Sequence, residues 1–180
     1  IMERRTRTTP ALARNWGAQL CDLFSYLHSQ DPPVHVPWLA PQHIVVGADG
    51  TVKLVGLGLG RFFSPNGYGP YGSMRGYAAP ELSRGFPTVA TDVFALGRLL
   101  YALLIDRLLE KGLPRKMPLN REVPGISRQL VRSVARAANR DPEKRYSSMT
   151  ELRQALWESA YGDLLPDSDW YRKVAQQEPD

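Results

Sequence analysis

The sequence predicts a mainly α domain packed around one buried helix, with a small β-hairpin. Three observations carry this. From Thr91 to Ile105, apolar residues stand at 93, 94, 96, 99, 100 and 102–105, covering nearly the whole helical circumference. A helix apolar all round is either buried or membrane-spanning. At about fifteen residues, with Asp92 and Arg98 inside it, this one is too short and too charged to span a bilayer, so it is the central post. Leu12, Trp16, Leu20, Leu23, Phe24 and Leu27 recur at three- and four-residue steps, an amphipathic helix over 11–29. Ile44-Val45-Val46 and Val52-Lys53-Leu54-Val55 flank Gly47-Ala48-Asp49-Gly50, two short β-branched runs around a turn.

The other elements follow in order. Residues 1–10 are polar and basic, with Arg4, Arg5 and Arg7. Cys21 lies beside the apolar face of the first helix and reads as a small buried hydrophobe. Asp31-Pro32-Pro33 stops that helix, and 34–42 is an irregular loop holding Pro37 and Pro41. Residues 56–76 are rich in Gly, Pro, Ser and Tyr, a long loop of the kind that is functional or mobile. Thr91 is the expected N-cap of the central helix, and Asp92 suits the positive end of its dipole. A basic connection through Lys111, Arg115, Lys116 and Arg121 leads to a helix over 127–139, with Leu130, Val131, Val134 and Ala138 on its apolar face. Asp141 to Tyr146 is a turn, and Ser148-Met149-Thr150-Glu151 opens the last helix, with Leu152, Ala155 and Leu156 inward. The tail from Gly162 is mostly acidic and polar, and there is no internal repeat.

Composition narrows the classes. The chain has 180 residues, 43% of them hydrophobic, enough for one domain with a core. One cysteine forms no internal disulfide and no metal site alone, which fits a reducing compartment and a cytoplasmic setting. No apolar run of about eighteen residues predicts a membrane span, and no stretch of this sequence is expected to be a signal peptide. The chain opens on Ile1, which predicts a piece of a longer protein. A net charge of +5 permits an acidic partner without demanding one.

Four stretches, in this order and spacing, resemble the C-terminal lobe of protein kinases, most of all the bacterial Ser/Thr kinases of eukaryotic-like type. Leu20 to Ser29 is similar to the helix before the catalytic loop, and Gly76-Tyr77-Ala78-Ala79-Pro80-Glu81 to the end of the activation segment. Thr91-Asp92-Val93-Phe94-Ala95-Leu96-Gly97 is similar to the family's Ser-Asp-Val-Tyr-Ser-Leu-Gly helix, and Asp141-Pro142-Glu143-Lys144-Arg145-Tyr146 to its Asp-Pro-x-x-Arg-Phe turn. The resemblance implies a kinase C-lobe over 11–161, a hinge or linker remnant at 1–10 and a tail at 162–180, with no N-lobe in this chain. It also implies structural roles: Glu81 pairs with Arg145, Asp92 accepts backbone N–H groups from the catalytic loop, and Gly97 belongs to the central-helix motif. For Asp92 the residues alone leave simple helix-dipole stabilisation as the alternative.

Phosphoryl transfer needs magnesium on carboxylate and amide oxygens, a residue that positions the nucleophile, and cations on the phosphates. The resemblance places Trp38 at the base, Ala40 at the phosphate-facing lysine, His43 at the magnesium asparagine and Gly56 at the magnesium aspartate. Shifting the alignment by one puts His35 at the motif histidine and still supplies no acid, because no Asp or Glu lies between Val34 and Ala48. Trp takes no proton, Ala and Gly bind no metal, and a lone histidine is a poor ligand for a hard cation. Losing a general base alone costs about 10²–10⁴ in rate. Leu39, Pro41, Leu57 and Gly58 of the surrounding frame remain. The expectation is a pseudokinase-like lobe with no catalytic residues and no cofactor, acting as a regulatory or protein-interaction module. An active kinase or other domains of its own chain are the natural partners. The alternative is the C-lobe portion of an ATP-dependent, magnesium-using Ser/Thr kinase whose N-lobe lies upstream.

Other candidates read more plainly. Arg128, Arg132, Arg136 and Arg140 form a basic stripe at four-residue steps, able to meet nucleic acid or a phosphorylated partner, but such stripes are usually solvated faces. His28, His35 and His43 have no cysteine or carboxylate at ligand spacing, so no metal site is expected. Gly58-x-Gly60 precedes no helix and is not a dinucleotide site. The resemblance puts Ser73 and Tyr77 where kinases carry activation-loop residues, and phosphorylation of Ser73 would act only on docking. Trp157, Tyr161, Trp170 and Tyr171 pack on the lobe or form a partner surface.

Overall fold

The computed structural model describes residues 8–37, 39–56, 76–83, 85–109 and 118–160. Trp38, Leu57, Gly58, Gly60, Ser73, Tyr161, Trp170, Tyr171 and the basic residues 111, 115 and 116 lie outside them.

The first helix, α1, spans Pro10–His28, and Thr9 caps it by accepting the Leu12 N–H at 3.2 Å. Pro10 opens the first turn, where a missing N–H costs nothing. Its buried face is Ala13, Gly17, Leu20, Cys21, Phe24 and Leu27. This face is turned slightly from the expected one: Leu12 is exposed, and Trp16 and Leu23 are half-buried at its edge. Close approach explains the turn. A Cβ on Gly17 would meet Leu100 Cδ2 at 2.9 Å and Leu156 Cδ1 at 3.0 Å. Small residues at 13, 17 and 21 let α1 press against two helices at once. Cys21 lies among them, and burial pushes its thiol up to about 12.

The strands β1, Ile44–Val46, and β2, Val52–Leu54, pair antiparallel with Ile44 opposite Leu54 and Val46 opposite Val52. Asp49 shapes the turn by accepting the Thr51 N–H at 3.0 Å; hydrogen bonding from the Thr51 side chain first, and from this N–H second, holds its carboxyl below the usual range, and Gly50 takes a φ of +81°. Gln19 of α1 fastens the hairpin from both ends, donating to the Gly50 carbonyl at 3.1 Å and accepting the Val52 N–H at 2.9 Å.

The central helix, α2, spans Val89–Ile105, and every residue from Thr91 to Leu104 is buried. Its N-cap is Thr88, not Thr91. Thr91 is the third helical residue and reaches back, its Oγ1 accepting the Thr88 N–H at 2.9 Å. Two threonines at capping-box spacing looked alike in sequence, and the first starts the helix. After a single helical turn, α3 (Leu119–Glu122), come α4 (Arg128–Ala137) and α5 (Met149–Glu158). Ser127 and Ser148 cap the last two, accepting the Leu130 and Glu151 N–H groups at 3.0 and 3.1 Å. α1 packs on α5 and α2, α4 packs on α2 and α5, and one continuous core joins all of them.

Gly97 sets the approach of α4 to α2. A Cβ there would meet Ala137 Cβ and Ala138 N, each at 2.8 Å, and the latter is backbone that cannot swing aside. Gly97→Ala gains about 1 kcal/mol of helix propensity but forces the helices apart, so a net loss of about 1–3 kcal/mol is expected in urea unfolding. Unchanged or raised stability would contradict the packing.

Candidate functional site

At the N-terminal end of α2, Asp92 gathers groups from distant segments. Asp92 is fully buried. Its Oδ1 accepts the Val36 backbone N–H at 3.0 Å, and its Oδ2 lies 2.8 Å from His28 Nε2 and 3.1 Å from His35 Nδ1. A carboxylate in the interior must be solvated by protein groups, and these three come from α1, from the 34–37 loop and from that loop's backbone. Asp92 therefore ties the 34–37 loop to α1 and α2.

The loop is well packed. Val36, Leu39 and Ala40 are buried, and Pro41–His43 form a turn that leads into β1. Ala40 stands in the core at the position where the resemblance puts a phosphate-facing lysine. His43 is half-buried, and its carbonyl accepts the Val55 N–H at 2.8 Å, extending the hairpin. Gly56 follows with φ +79°, a conformation that glycine adopts without strain. None of Ala40, His43 and Gly56 presents a carboxylate, and Trp38, at the base position, is not among the described residues.

The second cluster joins the end of the activation segment to the far helices. Arg145 is buried, with its side chain wholly so, and Glu81 keeps 29% exposure. The two meet as a fork: Nη1 donates to Glu81 Oε1 at 2.5 Å and Nη2 to Oε2 at 2.8 Å. Arg145 also donates to the carbonyls of Ala90 at 2.8 Å, Asn139 at 2.7 Å and Arg140 at 3.3 Å, and its guanidinium lies 4.7 Å from the centre of the Phe94 ring. The planar fork is why arginine, rather than lysine, serves here.

A third contact was not foreseen. Arg98, read in sequence only as a charge that argued against a membrane span, is buried in α2. Its Nε donates to the Gly76 carbonyl at 2.7 Å, and burial lowers its pKa to about 10, so it stays charged at neutral pH. Next to it, the Tyr77 hydroxyl accepts the Leu109 N–H at 3.1 Å, and burial pushes its pKa up. Tyr77 is thus a core residue, with 5% exposure. A lone arginine in an apolar helix would have been the signal to look for a buried carbonyl partner.

The arginine stripe is less uniform than its spacing. Arg128 and Arg132 are exposed on α4, and Arg140 is exposed beyond its end. Arg136 is engaged: Nη2 donates to Glu151 Oε1 at 2.7 Å, and the guanidinium sits 4.1 Å over the Tyr146 ring. Glu151 was invisible to a periodicity argument confined to one helix. Trp157 is 61% exposed on α5.

No protein-family model matches the chain. Among curated proteins it is similar to the serine/threonine-protein kinase PknG of Mycobacterium leprae, 33% identical over 77% of this chain and 18% of that protein. It is also similar to human receptor-interacting serine/threonine-protein kinase 3, 31% identical over 91% of this chain and 33% of that protein. The chain thus spans a third or less of these relatives' length. Among solved structures, the kinase domain of Mycobacterium tuberculosis PknI superposes with a TM-score of 0.67 at 18% identity, covering 86% of this chain and 58% of that one. The chain belongs to the protein kinase family. Its fold, mostly helical with one hairpin, is that of the kinase C-terminal lobe.

Two predictions follow from these contacts. Glu81→Ala and Arg145→Ala should each cost about 2–5 kcal/mol, because each strands or removes a buried charge partner. The double variant should cost clearly less than the sum, and full additivity in denaturant unfolding would contradict the pairing. On α4, Arg132→Glu should change stability by less than about 0.5 kcal/mol. Arg136→Glu should cost about 1–2 kcal/mol by losing the ring contact and facing Glu151 with a like charge. Equal effects of the two would contradict the distinction.

Proposed function

We propose that this chain is a kinase-like lobe without phosphotransfer activity, serving as a regulatory or protein-interaction module in the cytoplasm. The observation that carries the reading is a contrast within one loop. The anchor at Asp92 is complete, while the stretch from Val34 to Ala48 holds no Asp or Glu and Gly56 stands where a magnesium aspartate is needed. Phosphoryl transfer depends on positioned metal and charge, and a scaffold kept without them fits selection for shape. Its partner in this reading is an active kinase or another domain of the same protein, and residues 11–161 form the module. No ATP or magnesium role is assigned to it. Among the described residues no helix is long and apolar enough to cross a membrane.

One observation favours a second reading. The relatives named above are Ser/Thr kinases of which this chain matches only a part. In that reading the chain is the C-lobe portion of an ATP-dependent kinase whose N-lobe lies upstream, using unusual residues. Nucleic-acid or phospho-partner binding through the stripe is weaker still, because Arg136 is already engaged and leaves Arg128, Arg132 and Arg140.

Thermal unfolding with ATP, with and without magnesium, on the longest chain the gene encodes separates these readings. A ligand at about one hundred times its Kd adds about 2.7 kcal/mol, a shift of several degrees. The module reading predicts no magnesium-dependent shift. A magnesium-dependent shift, followed by phosphate transfer to a protein substrate, would establish the kinase reading instead.

A further inference from the structure

We propose that His28, His35 and Asp92 form a binding site for one divalent transition-metal ion of the zinc type, which clamps the 34–37 loop to α1 and α2. The sequence argument against metal rested on the lack of a carboxylate near the histidines. The fold supplies one from 57 and 64 positions away.

Two of the three ligand spacings lie close to those around a tetrahedral ion. The three ligand atoms all lie within 4.8 Å of one another, and the two nitrogens stand 2.8 and 3.1 Å from the same Asp92 oxygen. Ligand atoms around zinc, at bond lengths of about 2.0–2.2 Å, stand about 3.3 Å apart. The two nitrogen–oxygen distances therefore need to open by only a few tenths of an ångström. Two imidazoles and a carboxylate are a donor set that zinc uses in open sites, with water in the fourth position. The imidazoles select zinc, copper or nickel over magnesium.

The surroundings hold the ligands in place. The second Asp92 oxygen is already fixed by the Val36 N–H at 3.0 Å, the kind of support that orients a metal-binding carboxylate. The Phe24 ring meets His28 nearly edge-on, at 6.0 Å and 80°. The Asp92 side chain has no exposure, His28 has 11% and His35 has 22%, so an ion enters from the His35 side. Without metal, each facing ring nitrogen donates its proton to the carboxylate, which can only accept. With metal, those nitrogens offer lone pairs, and the protons move to the far ring nitrogens or leave.

The test is a zinc titration of the whole chain after chelator treatment, read by calorimetry and by thermal unfolding at neutral pH. The expected result is one bound equivalent and a rise in Tm of about 5–10 °C with zinc at about one hundred times its Kd. Magnesium should give no rise. His35→Gln keeps a side-chain amide that can donate to Asp92 but is a poor metal ligand, so it should fold and lose both the stoichiometric binding and the rise. His43→Ala, a histidine outside the cluster, should keep both. No stoichiometric binding by the unaltered chain, or equal binding by His35→Gln, would overturn the proposal and leave the cluster a pair of hydrogen bonds on a buried carboxylate.

Discussion

A helix with almost no solvent-facing side must have its charges solvated from within the protein, and this constraint shapes the lobe. α2 carries Asp92 near one end and Arg98 in the middle, and Arg145 is buried against its first turns. None of these groups can be left bare at such depth. Asp92 gathers His28, His35 and the Val36 N–H, Arg145 gathers Glu81 and three carbonyls, and Arg98 takes the Gly76 carbonyl. Each charge thereby recruits a segment distant in sequence, and loops that could not fold on their own propensities gain fixed positions.

The same arrangement explains how the loop frame is held by buried ties. The groups that hold the 34–37 loop and the end of the activation segment are buried structural ties, separate from the positions that would touch nucleotide or magnesium. Replacing an exposed acid or lysine leaves the ties intact, while replacing Asp92 or Arg145 removes a partner from a buried network. Ala40 is itself buried and packs in the core beside these ties. Retention of the ties is a matter of folding and is not by itself a sign of chemistry.

Much of this was legible in the sequence, for identifiable reasons. The all-round apolar pattern of 91–105 announced the buried post, the Gly/Asp turn announced the hairpin, and the family resemblance implied the Glu81–Arg145 pair. All but one of the failures share a cause: each needed tertiary information. The face of α1 turned because Gly17 must touch Leu100 and Leu156, which periodicity within one helix does not encode. Arg136 met Glu151 from another helix, and Asp92 met two histidines that sequence spacing had left without a carboxylate. Tyr77 resembled an activation-segment hydroxyl and proved to be a buried acceptor, because the chain folds Leu109 over it. The capping threonine shifted by three because both candidates satisfy the same local rule.

The central claim is that buried Asp92 fixes the 34–37 loop. Hydrogen exchange at the Val36 amide tests it most directly. A backbone N–H bonded to a fully buried carboxylate should exchange only through opening of the core, at a rate close to that of amides in the middle of α2. Exchange at Val36 as fast as in an open loop, with α2 still protected, would mean that the segment is not held and would contradict the account.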